Sequence, residues 1–297
     1  MEVVAILMPG DMGHAVGREL RAHGHDVITC LAGRSERTRR LAAAAGLRDL
    51  PDLDAVVAEA DLVLSILPPA RALDQARAVA EAMRRVGRFP VYVDCNAVSP
   101  DTAGQIASAI GAAGAPFVDC GIIGLAPGKD TATRFYVSGA DTRPMEALDG
   151  KGIRVIACGG EVGRASALKM CYAALTKGSW TLQTALLLAA ARLDVLDELL
   201  EEFAFSQQAA LTAMEQRIPR LPADSERWIG EMEEIAATFE SVGVPRGFHD
   251  GAAAIFRLLA RTPFASETRE DMDTSRSLTQ AIHAYAEQLA RDRGEKA

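Results

Sequence analysis

The chain has 297 residues, 49% hydrophobic and 24% charged, which suits one large or two medium-sized globular domains. Its formal net charge of −8 and the lack of a long basic run argue against a partner that is nucleic acid or an anionic membrane. No targeting or membrane-spanning segment is expected, because no stretch reaches the roughly 20 apolar residues of a span. The five cysteines form no CxxC pair, which argues for reduced thiols in the cytoplasm and against a metal site.

Up to about residue 160, apolar runs rich in Val and Ile alternate with helical stretches. The predicted strands cover 3–8, 26–31, 61–67, 91–95, 116–119, 134–139 and 152–158. Amphipathic segments at 12–24 and 69–87 lie between the early strands. This alternation predicts an α/β domain over 1–160, with a Rossmann-type, doubly wound parallel sheet that helices cover on both faces.

After residue 160 the strand patterns stop. Helices are predicted over 161–191, 194–216, 225–242, 246–261 and 268–293. The first of them is too long and too apolar for an ordinary surface helix, so we expect it to join two domains. The second domain, over 161–297, is expected to be all-helical and to bind substrate. Its apolar helices suggest that it forms a homodimer.

The first strand leads into Met8-Pro9-Gly10-Asp11-Met12-Gly13 and then into a helix. A dinucleotide fingerprint, G-x-G-x-x-G, occurs at this place in a βαβ unit. Gly10 would let the backbone approach a pyrophosphate, whose charge the free N–H groups of the helix start would meet. Gly13 would let the helix pack close to the strand. Met8 stands where the first glycine is expected, and a tight turn without a ligand is the alternative.

The end of the second strand, Cys30-Leu31-Ala32-Gly33-Arg34-Ser35, bears on the choice of dinucleotide. NAD-binding proteins usually carry a carboxylate there for the ribose 2′-hydroxyl, and this segment has none. The fork of Arg34 and the hydroxyl of Ser35 suit a 2′-phosphate instead. We therefore expect NADP rather than NAD, the alternative being that Arg34 is only a solvated charge.

Several motifs occur in a familiar order and spacing. These are Pro9-Gly10-Asp11-Met12-Gly13, Gly24-His25, Ser65-Ile66-Leu67-Pro68, Asp94-Cys95-Asn96-Ala97-Val98-Ser99-Pro100, and Gly160-Glu161-Val162-Gly163 followed by Lys169. The chain thus resembles the β-hydroxyacid dehydrogenase family, which includes 3-hydroxyisobutyrate and 6-phosphogluconate dehydrogenases. Residues 168–178 are similar to a phosphogluconate-dehydrogenase-like branch of it.

The resemblance implies roles for the matching residues. Met12 would pack near the nicotinamide, and Leu67 and Pro68 would line the adenosine side. Asn96 would lie beside both the nicotinamide and the substrate, and Lys169 would act as general acid or base on the substrate oxygen. The implied cofactor-binding residues, with those from the second strand, are Pro9, Gly10, Asp11, Met12, Arg34, Ser35, Leu67, Pro68 and Asn96.

Two positions depart from the family pattern. A Ser-Gly-Gly stretch usually holds the substrate carboxylate, whereas this chain reads Asp119-Cys120-Gly121-Ile122-Ile123-Gly124-Leu125. An isoleucine has no hydroxyl to donate, which leaves the backbone N–H groups around Gly124 as donors. The asparagine that usually follows the lysine by four residues is Ala173 here. At about 100° per residue, Tyr172 and Thr176 share the helix face of Lys169 and can bring hydroxyls to the same cleft. Apolar surroundings would partly desolvate the lysine and favour proton transfer near neutral pH.

The sequence thus predicts an NADP-dependent oxidoreductase that moves a hydride between nicotinamide and a small hydroxy or keto substrate, in a cleft between two domains. The expected substrate contacts are Asn96, Ile123, Gly124, Tyr172 and Thr176, with Lys169 as the catalytic residue. The missing oxygen-binding groups leave an NADPH-dependent imine reductase open as an alternative. A non-catalytic protein that senses NADPH is a second.

Overall fold

The computed structural model describes residues 2–128, 133–268 and 270–295. In this part of the chain, eight strands form one sheet in the order β3-β2-β1-β4-β5-β6-β7-β8. The strands are β1 (Val3–Leu7), β2 (Asp26–Thr29), β3 (Arg48–Asp49), β4 (Leu62–Ser65), β5 (Val91–Asp94), β6 (Phe117–Ile123), β7 (Thr133–Ser138) and β8 (Ile153–Ala157).

The sheet is parallel from β3 to β6, and the pair of β6 and β7 is antiparallel. Strand β8 then pairs with β7 in parallel. The carboxyl ends of β1, β2, β4, β5 and β6 therefore meet at one edge, together with the amino ends of β7 and β8. Because β1 lies between β2 and β4, the strand order reverses beside it, and open α/β sheets bind ligands in the crevice at such a point.

Helices cover both faces of this sheet. Their bounds are α1 (Asp11–Ala22), α2 (Glu36–Ala44), α3 (Leu53–Glu59), α4 (Ala72–Val86), α5 (Pro100–Gly111) and α6 (Arg143–Glu146). Buried side chains of α1, α2 and the α6 region pack in one apolar cluster with β1, β6 and β7. Those of α3, α4 and α5 pack in a second cluster on the opposite face. Because helices bury both faces of the sheet, the side chains on both sides of a strand are apolar, which explains the unbroken apolar runs in the sequence.

The helical part of the chain begins with α7 (Arg164–Arg192), a single helix of 29 residues. It continues with α8 (Leu196–Ser206), α9 (Gln208–Arg217), α10 (Pro222–Ser241), α11 (Gly247–Leu259) and α12 (Leu278–Asp292). Inside this part, Trp228 packs against Trp180 and Phe256. A buried ion pair joins Lys177 Nζ to Glu231 Oε1 at 2.8 Å.

The chain forms two compact units, residues 1–172 and 173–297. The boundary lies within α7, twelve residues beyond the expected one at 160/161, because the first turns of this helix pack against β6. The helix predicted over 194–216 is broken at Gln207, and that predicted over 268–293 begins only at Leu278. In the described ranges, no helix combines the length and the apolar character needed to cross a membrane.

Candidate active site

The turn after β1 has the conformation of a dinucleotide-binding turn although its first glycine is absent. Met8 adopts the left-handed φ of 56° that a glycine would adopt there more easily. Gly10 follows as the N-cap of α1, and no side chain among the described residues caps this end. A Cβ at Gly13 would lie 3.1 Å from Ile6 Cγ2 and 3.3 Å from Met8 O, so α1 packs directly on β1. The first N–H groups of α1 are thus available to an anion.

A carboxylate beside this turn is paired with an arginine. Asp11 stands in the first turn of α1, and its Oδ1 accepts a hydrogen bond from Arg37 at 2.5 Å. This ion pair offsets a carboxylate that would otherwise repel a phosphate. Pro9 is buried, whereas Met12 is half-buried and packs against the first apolar cluster.

Arg34 follows the end of β2 and lies near a second arginine, Arg71. Gly33 has a φ of 69°, in a turn that the hydrogen bond from Arg34 N to Leu31 O closes at 3.1 Å. The Nε of Arg34 is buried and has no hydrogen-bond partner among the described residues. Burial lowers the pKa of Arg34, and the charge of Arg71, which follows β4, lowers it further. Ser35 caps α2 by accepting from Thr38 N at 3.2 Å.

Asn96 ties together the ends of β4 and β5. It is 2% exposed, and its Oδ1 accepts the N–H of Leu67 at 2.7 Å. Its Nδ2 donates to Ser65 Oγ at 3.1 Å and to Asp94 Oδ1. The amide therefore holds the half-buried Leu67–Pro68 segment at the carboxyl edge of the sheet. Its direct contact with nicotinamide or substrate stays a prediction. The side-chain amide already makes hydrogen bonds within the protein through both its oxygen and its nitrogen.

A buried carboxylate fixes the start of α7. Asp119, in β6, is fully buried, and its Oδ2 accepts from Gly163 N at 2.9 Å and from Ser166 N at 3.1 Å. Its Oδ1 accepts from Ser166 Oγ at 2.6 Å, and Ser138 Oγ donates to its Oδ2 at 2.9 Å. A negative charge at a helix amino end is favourable. Asp119 is not among the site residues predicted from the sequence, although a carboxylate at the end of an apolar run indicates a buried group with hydrogen-bond partners.

Lys169, on α7, packs against Gly121, two residues after Asp119 in β6. A Cβ at Gly121 would be 2.8 Å from Lys169 Cβ and 2.7 Å from Ala165 O, so only glycine lets α7 pass this close. The lysine is half-buried. Because α7 is anchored at Asp119 and crosses Gly121, it runs along β6 towards the strand's carboxyl end. That is the edge at which the turn after β1, Leu67 and Asn96 also lie.

The other predicted substrate contacts are spread along β6 and α7. Ile123 ends β6 and is 2% exposed, and Gly124 follows it, exposed, with a φ of 124°. Tyr172 is 44% exposed on α7, in the unit that contains Lys169. Thr176 belongs to the second unit, and its hydroxyl donates to Ala173 O at 3.3 Å. Contacts of these four residues with a substrate stay predictions.

Comparison with known proteins agrees with this arrangement. Residues 4–149 match the model for the NAD binding domain of 6-phosphogluconate dehydrogenase, and residues 190–259 match a domain of unknown function, DUF1932. An uncharacterized 28.5 kDa protein in the 7S RNA 5′ region of Methanothermus fervidus is 34% identical over 176 residues. This match covers 59% of the present chain and 66% of that relative.

Solved structures share the fold over most of the chain. A conserved protein of unknown function, described as similar to 3-hydroxyacid dehydrogenases, is 28% identical with a TM-score of 0.61, over 86% of this chain and 96% of that one. The 3-hydroxyisobutyrate dehydrogenase of Mycobacterium tuberculosis is 17% identical with a TM-score of 0.64, over 95% and 98%. An imine reductase from Myxococcus stipitatus in complex with NADP+ is 18% identical with a TM-score of 0.55, over 86% and 92%.

The fold and the turn after β1 define a nicotinamide-dinucleotide-binding protein of the oxidoreductase class. More closely, the chain belongs to the β-hydroxyacid dehydrogenase family, as the sequence motifs predicted. That family consists of NAD(P)-dependent dehydrogenases that act on CH–OH groups.

Proposed function

We propose that this protein is an NADP(H)-dependent oxidoreductase that moves a hydride between the nicotinamide and the carbinol or carbonyl carbon of a small hydroxy or keto substrate. The observation that carries the choice of cofactor is the pair of arginines at the ends of β2 and β4. Arg34 has a buried Nε without a partner in the described structure, and it stands close enough to Arg71 for their charges to repel. A bound 2′-phosphate would satisfy the donor and relieve the repulsion.

The residues present fit such a dinucleotide. The uncapped start of α1 offers N–H groups to the pyrophosphate, and the tight packing at Gly13 brings them close to the sheet. The Arg37–Asp11 pair removes a repulsive charge beside that position. Leu67 and Pro68, held by Asn96, would line the adenosine side. When bound, the nicotinamide would supply or accept the hydride.

Lys169 would handle the proton of the substrate oxygen. During reduction its ammonium donates a proton to the oxygen as negative charge develops there, and during oxidation the neutral amine takes the proton back. Asp119 and Gly121 hold the backbone of α7 against β6, which fixes the place of the lysine along the strand. The protein's part in the reaction is thus to bind, to orient and to move one proton at Nζ.

Calorimetric titration with NADPH and with NADH, repeated on Arg34→Ala, tests the choice of cofactor. We expect wild type to bind NADPH at least tenfold more tightly, about 1.4 kcal/mol, and the preference to collapse in the variant. Arg40→Ala, at an exposed position of α2, is the matched control and should keep the preference. Equal binding of both nucleotides by wild type would contradict recognition of the 2′-phosphate. Binding of neither would contradict the proposal that the protein uses a nicotinamide cofactor.

An imine reductase is the second candidate. It is favoured by the fold shared with the Myxococcus stipitatus enzyme and by Ala173, which stands where the family usually has an asparagine at the reacting oxygen. NADPH consumption with short keto acids and with cyclic imines separates the two reactions. Tight NADPH binding without turnover of either class would instead point to a protein that senses the nucleotide.

We also propose a homodimer in the cytoplasm. The five cysteines are free thiols, which suits a reducing compartment. On the second unit, Leu175, Leu182 and Phe248 are 71%, 67% and 84% exposed around an apolar cavity of about 720 Å³ between α7 and α11. Apolar patches of this kind commonly mark interfaces, so a second copy of the chain is the expected cover.

A further inference from the structure

The face of β6 that carries α7 continues onto β7. Asp119 pairs with Ser138 and Gly121 with Tyr136 in the antiparallel register, and directly opposite residues point to the same side of a sheet. The Ser138–Asp119 hydrogen bond and the contact of Gly121 with Lys169 identify that side as the one α7 covers. The intervening pairs, such as Cys120 with Val137, belong to the apolar cluster on the other side.

The next pair on the α7 side joins Ile123 to Arg134. It lies at the carboxyl end of β6, which is the edge expected to bind the cofactor. Along β7, Arg134 is two residues from the Tyr136 position that faces Gly121, a step of about 7 Å. A guanidinium there therefore stands within a side-chain length of the region around Lys169. It also lies beside Ile123, where the family usually places its substrate-binding serine.

Arg134 has a second arginine as its neighbour. In the parallel register of β7 and β8, Arg134 is paired with Arg154, so two cations lie side by side on one face. Like charges directly opposite each other are unfavourable in a sheet. Arg154 has a loose ion pair with Asp149 at 3.7 Å, whereas the side chain of Arg134 is exposed and has no ion-pair or hydrogen-bond partner among the described residues.

We propose that Arg134, assisted by Arg154, binds the anionic group of the substrate and so replaces the missing serine hydroxyl. Two adjacent guanidiniums offer more donors than one carboxylate accepts, which points to a dianion such as a phosphate ester or a dicarboxylate. The assignment of this anion to the substrate rests on the proposed function. The binding of the anion itself does not.

Calorimetric titration of the NADPH-saturated full chain with inorganic phosphate, with malonate and with neutral malonamide, at constant ionic strength, tests this site. NADPH occupies Arg34, so that only the second site is titrated. We expect one site per chain for phosphate or malonate, at least tenfold weaker binding in Arg134→Gln, several-fold weaker binding in Arg154→Gln, and none for malonamide. The stronger of the two anions tells a phosphate substrate from a dicarboxylate.

Arg143→Gln is the matched control, since it removes the same charge from α6, where the residue is 86% exposed, after the carboxyl end of β7 and so at the opposite edge of the sheet. It should bind anions like wild type. Lack of binding by wild type, equal binding by Arg134→Gln, or equal losses in the Arg134 and Arg143 variants would each overturn the proposal. If NADPH itself fails to bind, the same titrations on Arg34→Ala keep the two proposals separate.

Discussion

Met8 has a backbone conformation that usually belongs to glycine. For a residue with a Cβ, the left-handed region costs roughly 1–2 kcal/mol, and such strain tends to persist at functional turns. With a φ of 56°, Met8 nevertheless carries the chain from β1 into Pro9 and Gly10. Judged by residue types alone, the fingerprint lacks its first glycine. The backbone nevertheless adopts the conformation that the glycine would have.

We predict that Met8→Gly is more stable than Met8→Ala by about 1 kcal/mol, because both remove the methionine side chain and only alanine keeps the strain. Urea unfolding of the two variants measures the difference in free energy. An equal or lower midpoint for the glycine variant would show that the turn is not strained. NADPH affinity should be similar in both.

Lys169→Met should lower kcat by about 10²–10⁴-fold and leave the Kd for NADPH nearly unchanged, because the lysine acts on the substrate oxygen. Steady-state kinetics with the best substrate of a hydroxy-acid panel, together with nucleotide titration, check both parts. In Lys169→Ala, added small alkylamines should restore part of the rate. Unchanged turnover would remove the lysine from the mechanism.

At the scale of elements, the position of Lys169 depends on a contact that the sequence does not display. Gly121 lies in an apolar run and looks like any strand glycine, yet a Cβ there would collide with the backbone of α7. The buried carboxylate of Asp119 fixes the same helix from its amino end. Strand and helix together thus determine where the amine stands.

Gly121→Ala should destabilise the protein by about 1–3 kcal/mol, since overpacking forces the backbone to shift, and should lower kcat with little change in NADPH binding. Gly104→Ala on α5 is the matched control. Among the described residues, no heavy atom beyond this helix's own backbone and the adjacent residues lies within 4 Å of a Cβ there, and alanine should stabilise the helix by up to about 1 kcal/mol. Chemical denaturation and kinetics report both effects. A Gly121 variant as active and stable as wild type would contradict the packing argument.

The sequence predicted the sheet and the long helix well because both rest on local hydrophobic patterns. It missed the direction of β7, since an antiparallel strand shows the same apolar run as a parallel one. It also placed the start of the last helix too early, although Ser277 and Gln280 form the capping box that marks it. Asp119 and Arg71 could not be assigned, because their roles come from contacts between distant segments.

For the whole molecule, the proposed dimer makes a further prediction. Leu182→Glu should shift the protein from dimer towards monomer, because a charge would have to be buried at the covered apolar surface. Phe89→Glu, at an exposed residue of the first unit, should leave the dimer intact. Sedimentation velocity over a range of concentrations measures the distribution. A wild-type protein that stays monomeric at tens of micromolar would rule out the dimer.

The arginines at the ends of β2 and β4 would let the cofactor-free protein bind small anions from the medium. Arg34 and Arg71 repel each other, so any small dianion in the medium competes for the place proposed for the 2′-phosphate. Phosphate or sulfate buffers would then weaken the apparent affinity for NADPH while leaving that for NADH alone, and could hide the discrimination between the two nucleotides. In the cell, the same competition would tie occupancy by the cofactor to the pool of free phosphate.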